Sequence, residues 1–159
     1  LIGVKDKPGV AASIFKPLSK NSINVDMVVQ NISANGKETD LTFTIKTEDL
    51  NKTKKTIQEN KDISYRKLIF DKGVSKISII GVGMITTPGV TFRMFQTLAN
   101  KKINIQVIST SEIKISVLIN KKNTKKALEA LHKEFKLDKQ KWVLDHLETL
   151  KGVRQKKLM

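Results

Sequence analysis

The sequence predicts an α+β fold in which one βαββαβ unit occurs twice in tandem. Three observations carry this prediction. Residues 3–31 align with 83–111 at a constant offset of 80, with identities at Gly3/Gly83, Pro8/Pro88, Gly9/Gly89, Val10/Val90, Phe15/Phe95, Leu18/Leu98, Ile23/Ile103 and Asn24/Asn104. Within each copy the apolar spacing switches from a helical stripe to strict alternation. The repeat is also too long for a solenoid, whose units run about 20–50 residues, so the copies read as tandem domains. Further on, the second copy is shorter: Ile45 matches Ile119 at an offset of 74, and Thr53-Lys54-Lys55 matches Thr124-Lys125-Lys126 at 71.

Each copy opens with a short apolar strand, Leu1–Val4 or Ile77–Gly83, that ends in a Pro-Gly turn. A helix follows, with Val10, Ala11, Ile14, Phe15 and Leu18 on one stripe and Val90, Met94, Phe95 and Leu98 on its counterpart. Pro17 removes a backbone donor inside the first helix and predicts a kink or early end there. In the next strand, Ile23–Gln30, Ile23, Val25, Met27 and Val29 face one way; Asn24, Asp26, Val28 and Gln30 face the other. Asn35-Gly36 marks a turn to the strand Leu41–Ile45. Helices then follow at Glu48–Asn60 and Thr124–Phe135; in the second, Asn123 is the candidate N-cap and Ala127, Leu131 and Phe135 the inward stripe. Copy one adds Ile63–Phe70 as a final strand. The order β-α-β-β-α-β is the ferredoxin-like split unit, an antiparallel sheet with two helices on one face.

Copy two has no evident final strand, and residues upstream of Leu1 could supply it. The expected domains are 1–74 and 75–136, followed by a helical tail, 137–159, with Val143, Leu144, Leu147 and Leu150 on one side.

The formal net charge is +15, from 27 Lys and only 3 Arg against 15 acidic residues. A basic chain first suggests nucleic acid or an anionic membrane. Specific nucleic-acid readers rely on Arg, however, and the dispersed lysines read as a solvated surface. RNA-binding split units stack bases on strand aromatics. Of the two strands that follow the first helix, only Leu41–Ile45 carries an aromatic, Phe43, and its neighbours Leu41 and Ile45 mark it as core. No apolar run approaches the roughly 18 residues of a membrane span. With no Cys, disulfides, Cys-zinc sites and thiol nucleophiles are excluded, and a cytoplasmic setting fits.

Several motifs fail on inspection. Gly81-Val82-Gly83 lacks the third glycine of a dinucleotide fingerprint, since position 86 is Thr86. Ser109, Thr110 and Ser111 have no base beside them. His132 and His146 read as surface or boundary residues, without metal-ligand spacing.

The strongest local signal is the strand–turn–helix junction Lys5-Asp6-Lys7-Pro8-Gly9-Val10-Ala11. The first amides of a helix lack internal acceptors and carry the positive end of its dipole, so they suit a carboxylate. Gly9 allows close approach, and Asp26 and Gln30 could meet an ammonium or amide. A structural turn explains the same residues equally well.

At these positions the chain resembles a known family. Asp6–Ala12, Ile23–Asn31 and Ile105–Ser116 are similar to the paired ACT domains at the C-terminal end of aspartate kinase, over residues 1 to about 135. The likeness is closest to the class whose regulatory part also occurs as a separate small subunit and responds to lysine and threonine. The resemblance implies an allosteric part giving feedback control by threonine, lysine or both, with effector sites where two ACT domains meet, commonly across a homodimer. It implies no catalytic residue, cofactor or metal in this chain, ATP and Mg belonging to a kinase domain that this chain lacks. Carried over by position, Asp6, Gly9, Val10 and Ala11 form the first loop, Asp26 and Gln30 the following strand, and Thr91, Asn104, Ile105 and Ser111 the second copy. Thr86-Thr87 stands where copy one has Asp6-Lys7, so the two sites differ. An ACT sensor serving another enzyme, or a basic nucleic-acid module, remains as an alternative.

Overall fold

The structure is a computed structural model and describes residues 1–32, 36–84, 87–137 and 148–149. It divides into two compact units, Leu1–Lys72 and Gly73–Met159. Unit 1 contains β1 (Val4–Lys5), α1 (Val10–Lys20), β2 (Val25–Ile32), β3 (Glu38–Ile45) and α2 (Leu50–Gln58). Unit 2 contains β4 (Val74–Ile80), α3 (Val90–Asn100), β5 (Ile105–Thr110), β6 (Lys114–Asn120), α4 (Thr124–Phe135) and β7 (Glu148–Thr149). Both sheets are antiparallel, in the orders β1-β3-β2 and β5-β6-β4-β7. This is the α+β, ferredoxin-like arrangement that the repeat predicts.

Each sheet packs its own helices around its own core. Val10, Ile14 and Leu18 of α1 join Leu41 of β3 and Ile57 of α2; Val90, Met94 and Leu98 of α3 join Ile115, Val117 and Ile119 of β6 and Leu131 of α4. The predicted inward stripe Ala127, Leu131 and Phe135 is buried. Phe43 belongs to the first core, edge-on to Phe15 with ring centroids 5.3 Å apart.

Several expectations are corrected. Helix α1 continues past Pro17 to Lys20. Pro17 deprives the Ser13 carbonyl of its helical donor, and the Asn60 side-chain amide donates to that oxygen instead, at 3.3 Å. Asn123 makes no side-chain cap; Asn120 caps the preceding 3-10 turn, accepting from the Lys122 N–H at 3.1 Å. Either Ile23–Gln30 or Leu41–Ile45 could be an edge strand from the sequence; Leu41–Ile45 lies in β3, the central strand of its sheet, and β2 is at an edge. Ile63–Phe70 forms no strand: Lys67 makes a single bridge to Ile2, while Ile63, Tyr65 and Leu68 still pack on the first core. The 71-residue match of Thr-Lys-Lys is not structural. Helices α2 and α4 open at Leu50 and Thr124, an offset of 74 that continues the one at Ile45/Ile119.

The final strand of unit 2 comes from the chain itself. β7 pairs with β4, Ser75 opposite Thr149 and Lys76 opposite Glu148, on the same side of the sheet that Lys67 takes in unit 1. The apolar positions on which the tail helix was expected, Val143, Leu144, Leu147 and Leu150, lie outside the described residues, as does His146.

Candidate functional site

Glycine creates the entry to each first helix. Gly9 (φ 88°) and Gly89 (φ 86°) sit in the left-handed region as the N-cap residues of α1 and α3, and no side chain caps either helix. The region is open to Gly at little cost and strained for other residues. In α1 the Val10 N–H donates to the Lys7 carbonyl at 3.2 Å and the Ser13 N–H to the Gly9 carbonyl at 3.0 Å. The N–H groups of Ala11 and Ala12 have no acceptor among the described residues. At α3 the Arg93 N–H donates to the Gly89 carbonyl at 2.9 Å, and the amides of Thr91 and Phe92 are left open in the same way. Both helices therefore present bare amides at the positive end of a dipole, where an anionic group is favoured.

Within unit 1 the structure brings Asp6, Gly9, Val10 and Ala11 to one end. Asp6 is exposed and its N–H donates to the Lys37 carbonyl at 3.0 Å, which ties the loop to the β2–β3 turn. Val10 points into the core and contributes backbone only. Gln30 is exposed, opposite Leu41 on β2. Asp26 is not with them. Lys5 lies opposite Glu38 and Val25 opposite Ile45, so Asp26 stands at the far end of β3 from the loop. At about 3.3 Å per residue that separation is roughly 20 Å, more than an extended lysine spans.

Unit 2 repeats this division. Thr91, exposed on the first turn of α3, shares an end with Ser111, whose N–H and Oγ both donate to the Lys114 carbonyl, at 2.7 and 3.4 Å. Asn104, exposed, and Ile105, half-buried opposite Ile119, lie at the other end. The candidate residues thus fall into a loop set and a strand-start set, and no single unit joins them. An open groove of about 930 Å³ between α1 and α2, lined by Ser13, Lys16, Lys20, Lys52 and Asn60 among others, contains none of them.

One feature of the strand-start set is invisible in the sequence. A register shift falls between Val25 and Val28 in β2, and between Ile105 and Val107 in β5. The outward and inward alternation runs through it undisturbed, so only the shared Ile-Asn lead-in, Ile23-Asn24 and Ile103-Asn104, marks the place.

Among the described residues no cluster of His, Cys, Asp or Glu could hold a metal ion, and no helix is long and apolar enough to cross a membrane. His132 is exposed on α4.

Comparison with known proteins identifies the family. A family model described as the ACT domain matches residues 1–60 and 77–135. An aspartate kinase of Pseudomonas fluorescens (strain SBW25) is 47% identical over 137 residues, covering 86% of this chain and 33% of that protein. An aspartokinase of Helicobacter pylori (strain 26695) is 46% identical over 136 residues, with the same coverage. The chain thus spans about a third of the length of these relatives. Among solved structures, the regulatory subunit of aspartate kinase from Thermus thermophilus superposes with a TM-score of 0.77 at 35% identity, over 85% of this chain and 89% of that one. A structure of aspartokinase alpha and beta subunits gives a TM-score of 0.75 at 41% identity, over 86% and 89%.

Proposed function

Because the chain belongs to the ACT domain family and corresponds to the C-terminal regulatory part of aspartate kinases, we propose that it senses free threonine, lysine or both and gives feedback control of an aspartate kinase. The observation that carries this reading is the pair of uncapped helices behind left-handed glycines. An amino-acid carboxylate on the amides of Ala11 and Ala12 would satisfy donors that the protein leaves open, and Asp6 in the same loop would meet the α-ammonium. The residues that read the side chain belong to the strand-start set, Asp26 and Asn104 with Ile105. The roughly 20 Å between the two sets in one unit is too far for one amino acid to touch both, so a second copy of the chain would supply the other half of each site.

A homodimer follows from the same logic. β2 and β5 are free sheet edges, and a second copy would cover them while completing the sites. Binding would bias one arrangement of domains over another, and a coupling of about 1–3 kcal/mol would change kinase activity about 5- to 150-fold. In this reading the kinase portion that binds aspartate, ATP and Mg lies outside this chain, and the assembly works in the cytoplasm.

Calorimetry with threonine, lysine and the two together tests the proposal. The expected result is saturable heat at millimolar concentration or below, weakened about 10- to 100-fold by Asp6→Ala, which removes a charge-assisted contact. No heat with either amino acid, or unchanged binding by the folded Asp6→Ala chain, rejects it. Light scattering at the 17.9 kDa monomer mass at high concentration, with and without effector, rejects the dimer.

A further inference from the structure

The groove between α1 and α2 of unit 1 collects cations. Lys16 and Lys20 line it from α1, Lys52 and Lys55 from α2. Lys55 lies 3.9 Å from Glu59, whereas Lys16, Lys20 and Lys52 have no ion pair among the described residues. β1 and β3 are antiparallel, so the helices that follow them run in opposite directions; the Asn60 contact to Ser13 sets the end of α2 beside the start of α1. Lys20 and Lys52 therefore come to one end of the groove, with Lys16 one turn further along α1. Glu59 and Asp62 lie at the other end.

Unit 2 builds the same seam differently. Arg93 and Glu134, the counterparts of Ser13 and Asn60, join across it in an ion pair at 2.9 Å. Gln96 and Asn100, the counterparts of Lys16 and Lys20, are bonded to each other, the Gln96 amide donating to Asn100 Oδ1 at 2.8 Å. One seam thus satisfies its own polar groups, while the other holds like charges four residues apart, where they repel. An anion in the groove would relieve that repulsion. Lys offers a point charge without the planar fork of Arg, and neither Arg nor an aromatic lines the groove, so nothing there reads a guanine edge or stacks a base. A phosphate backbone is also charged along its whole length, and would meet Glu59 and Asp62 at the far end. A peptide can carry carboxylates in one half and neutral residues in the other.

We propose that this groove docks an acidic segment of a partner protein, with carboxylates on Lys16, Lys20 and Lys52 and uncharged residues beside Glu59 and Asp62. The groove contains none of the candidate amino-acid-binding residues, so the proposal stands or falls apart from the sensing reading.

The test is fluorescence anisotropy in about 150 mM salt, with a labelled peptide whose first half is glutamate and whose second half alternates serine and alanine. The parent chain is expected to bind it saturably. Lys16→Gln, Lys20→Gln and Lys52→Gln together should weaken binding about 10-fold or more. The same change at Lys101, Lys126 and Lys133, exposed lysines of unit 2, should leave it within about 2-fold. Ser13→Arg with Pro17→Thr and Asn60→Glu carries the unit 2 seam into unit 1 at unchanged net charge, and should weaken binding by closing the groove. Thermal melting checks that each variant is folded. No saturable binding by the parent, undiminished binding by either folded groove variant, or equal loss in the unit 2 variant overturns the proposal. So does an oligothymidylate that displaces the peptide and is itself lost with Lys16, Lys20 and Lys52, because the groove would then serve a nucleic acid.

Discussion

In unit 1 the Asn60 amide reaches across the helix pair to the Ser13 carbonyl; in unit 2 the same two positions are Glu134 and Arg93. There the guanidinium Nε donates to Glu134 Oε1 at 2.9 Å, an Nη to the Glu134 carbonyl at 2.9 Å, and the cation lies 4.8 Å from the centroid of Phe135. The difference traces to one residue. Pro17 leaves the Ser13 carbonyl without its helical donor, so the seam of unit 1 repairs a backbone. Thr97 stands at the counterpart of Pro17 and keeps its N–H, which leaves Arg93 free to clamp the last turn of α4. The repeats kept the positions and changed the chemistry.

The largest test of the comparison is in the cores. Ile14 and Met94 are counterparts and both are fully buried. Ile14→Ala and Met94→Ala should each cost about 2–5 kcal/mol. Because the cores are separate clusters, hydrogen exchange should show protection lost mainly in α1 and β3 for the first and in α3 and β6 for the second. Equal loss in both units from one variant would contradict two cores.

Next is the clamp. Arg93→Ala should destabilise unit 2 by about 1–2 kcal/mol through a half-exposed ion pair, a cation–π contact and a lost C-terminal carbonyl partner. Chemical denaturation followed at unit 2 reads it, and a change below about 0.3 kcal/mol would mean that the clamp is ornamental. The repair in unit 1 should be worth about 1 kcal/mol, so Asn60→Ala costs that much in the parent. In a Pro17→Ala background the cost should nearly vanish, because residue 17 then supplies the missing N–H. A double-mutant cycle with no coupling would refute the repair. The smallest effect lies at Thr53, whose buried Oγ1 has no partner and whose counterpart at the offset of 74 is Ala127. Thr53→Val should raise the unfolding free energy by up to about 1 kcal/mol, and any loss of stability would count against an idle hydroxyl.

How much of this was legible depended on the physics behind each signal. Helix α4 was predicted at its observed bounds because Ala127, Leu131 and Phe135 state a 3.6-residue period clearly. The offset of 80 located α1 and α3 because Gly9 and Gly89 are needed for the same backbone angle. The Thr-Lys-Lys triplet misled because exposed lysines repeat freely in this composition. The apolar positions Ile57 and Leu131 would have given the offset of 74. The strand 63–70 failed because Ile63, Tyr65 and Leu68 pack on the core without a regular ladder. Of the candidate site, the loop amides were readable from the Pro-Gly-helix pattern. The separation of Asp26 from that loop was not, because strand direction and register are tertiary facts. Nor was the register shift in β2 and β5, which a period-2 pattern conceals.

The free edges of β2 and β5 have a colloidal consequence. Val28, Ile32 and Ile108 are 45%, 67% and 44% exposed along these strands, on a chain of net charge +15. Like charge holds copies apart, while the apolar edges draw them together. Salt acts on only one side of that balance, since the Debye length falls from about 10 Å at 0.1 M to 3 Å at 1 M. Self-association of this chain should therefore tighten as salt rises. Binding to a nucleic acid would weaken steeply over the same range as counterions return. The sign of one salt titration thus separates the two uses to which so many lysines could be put.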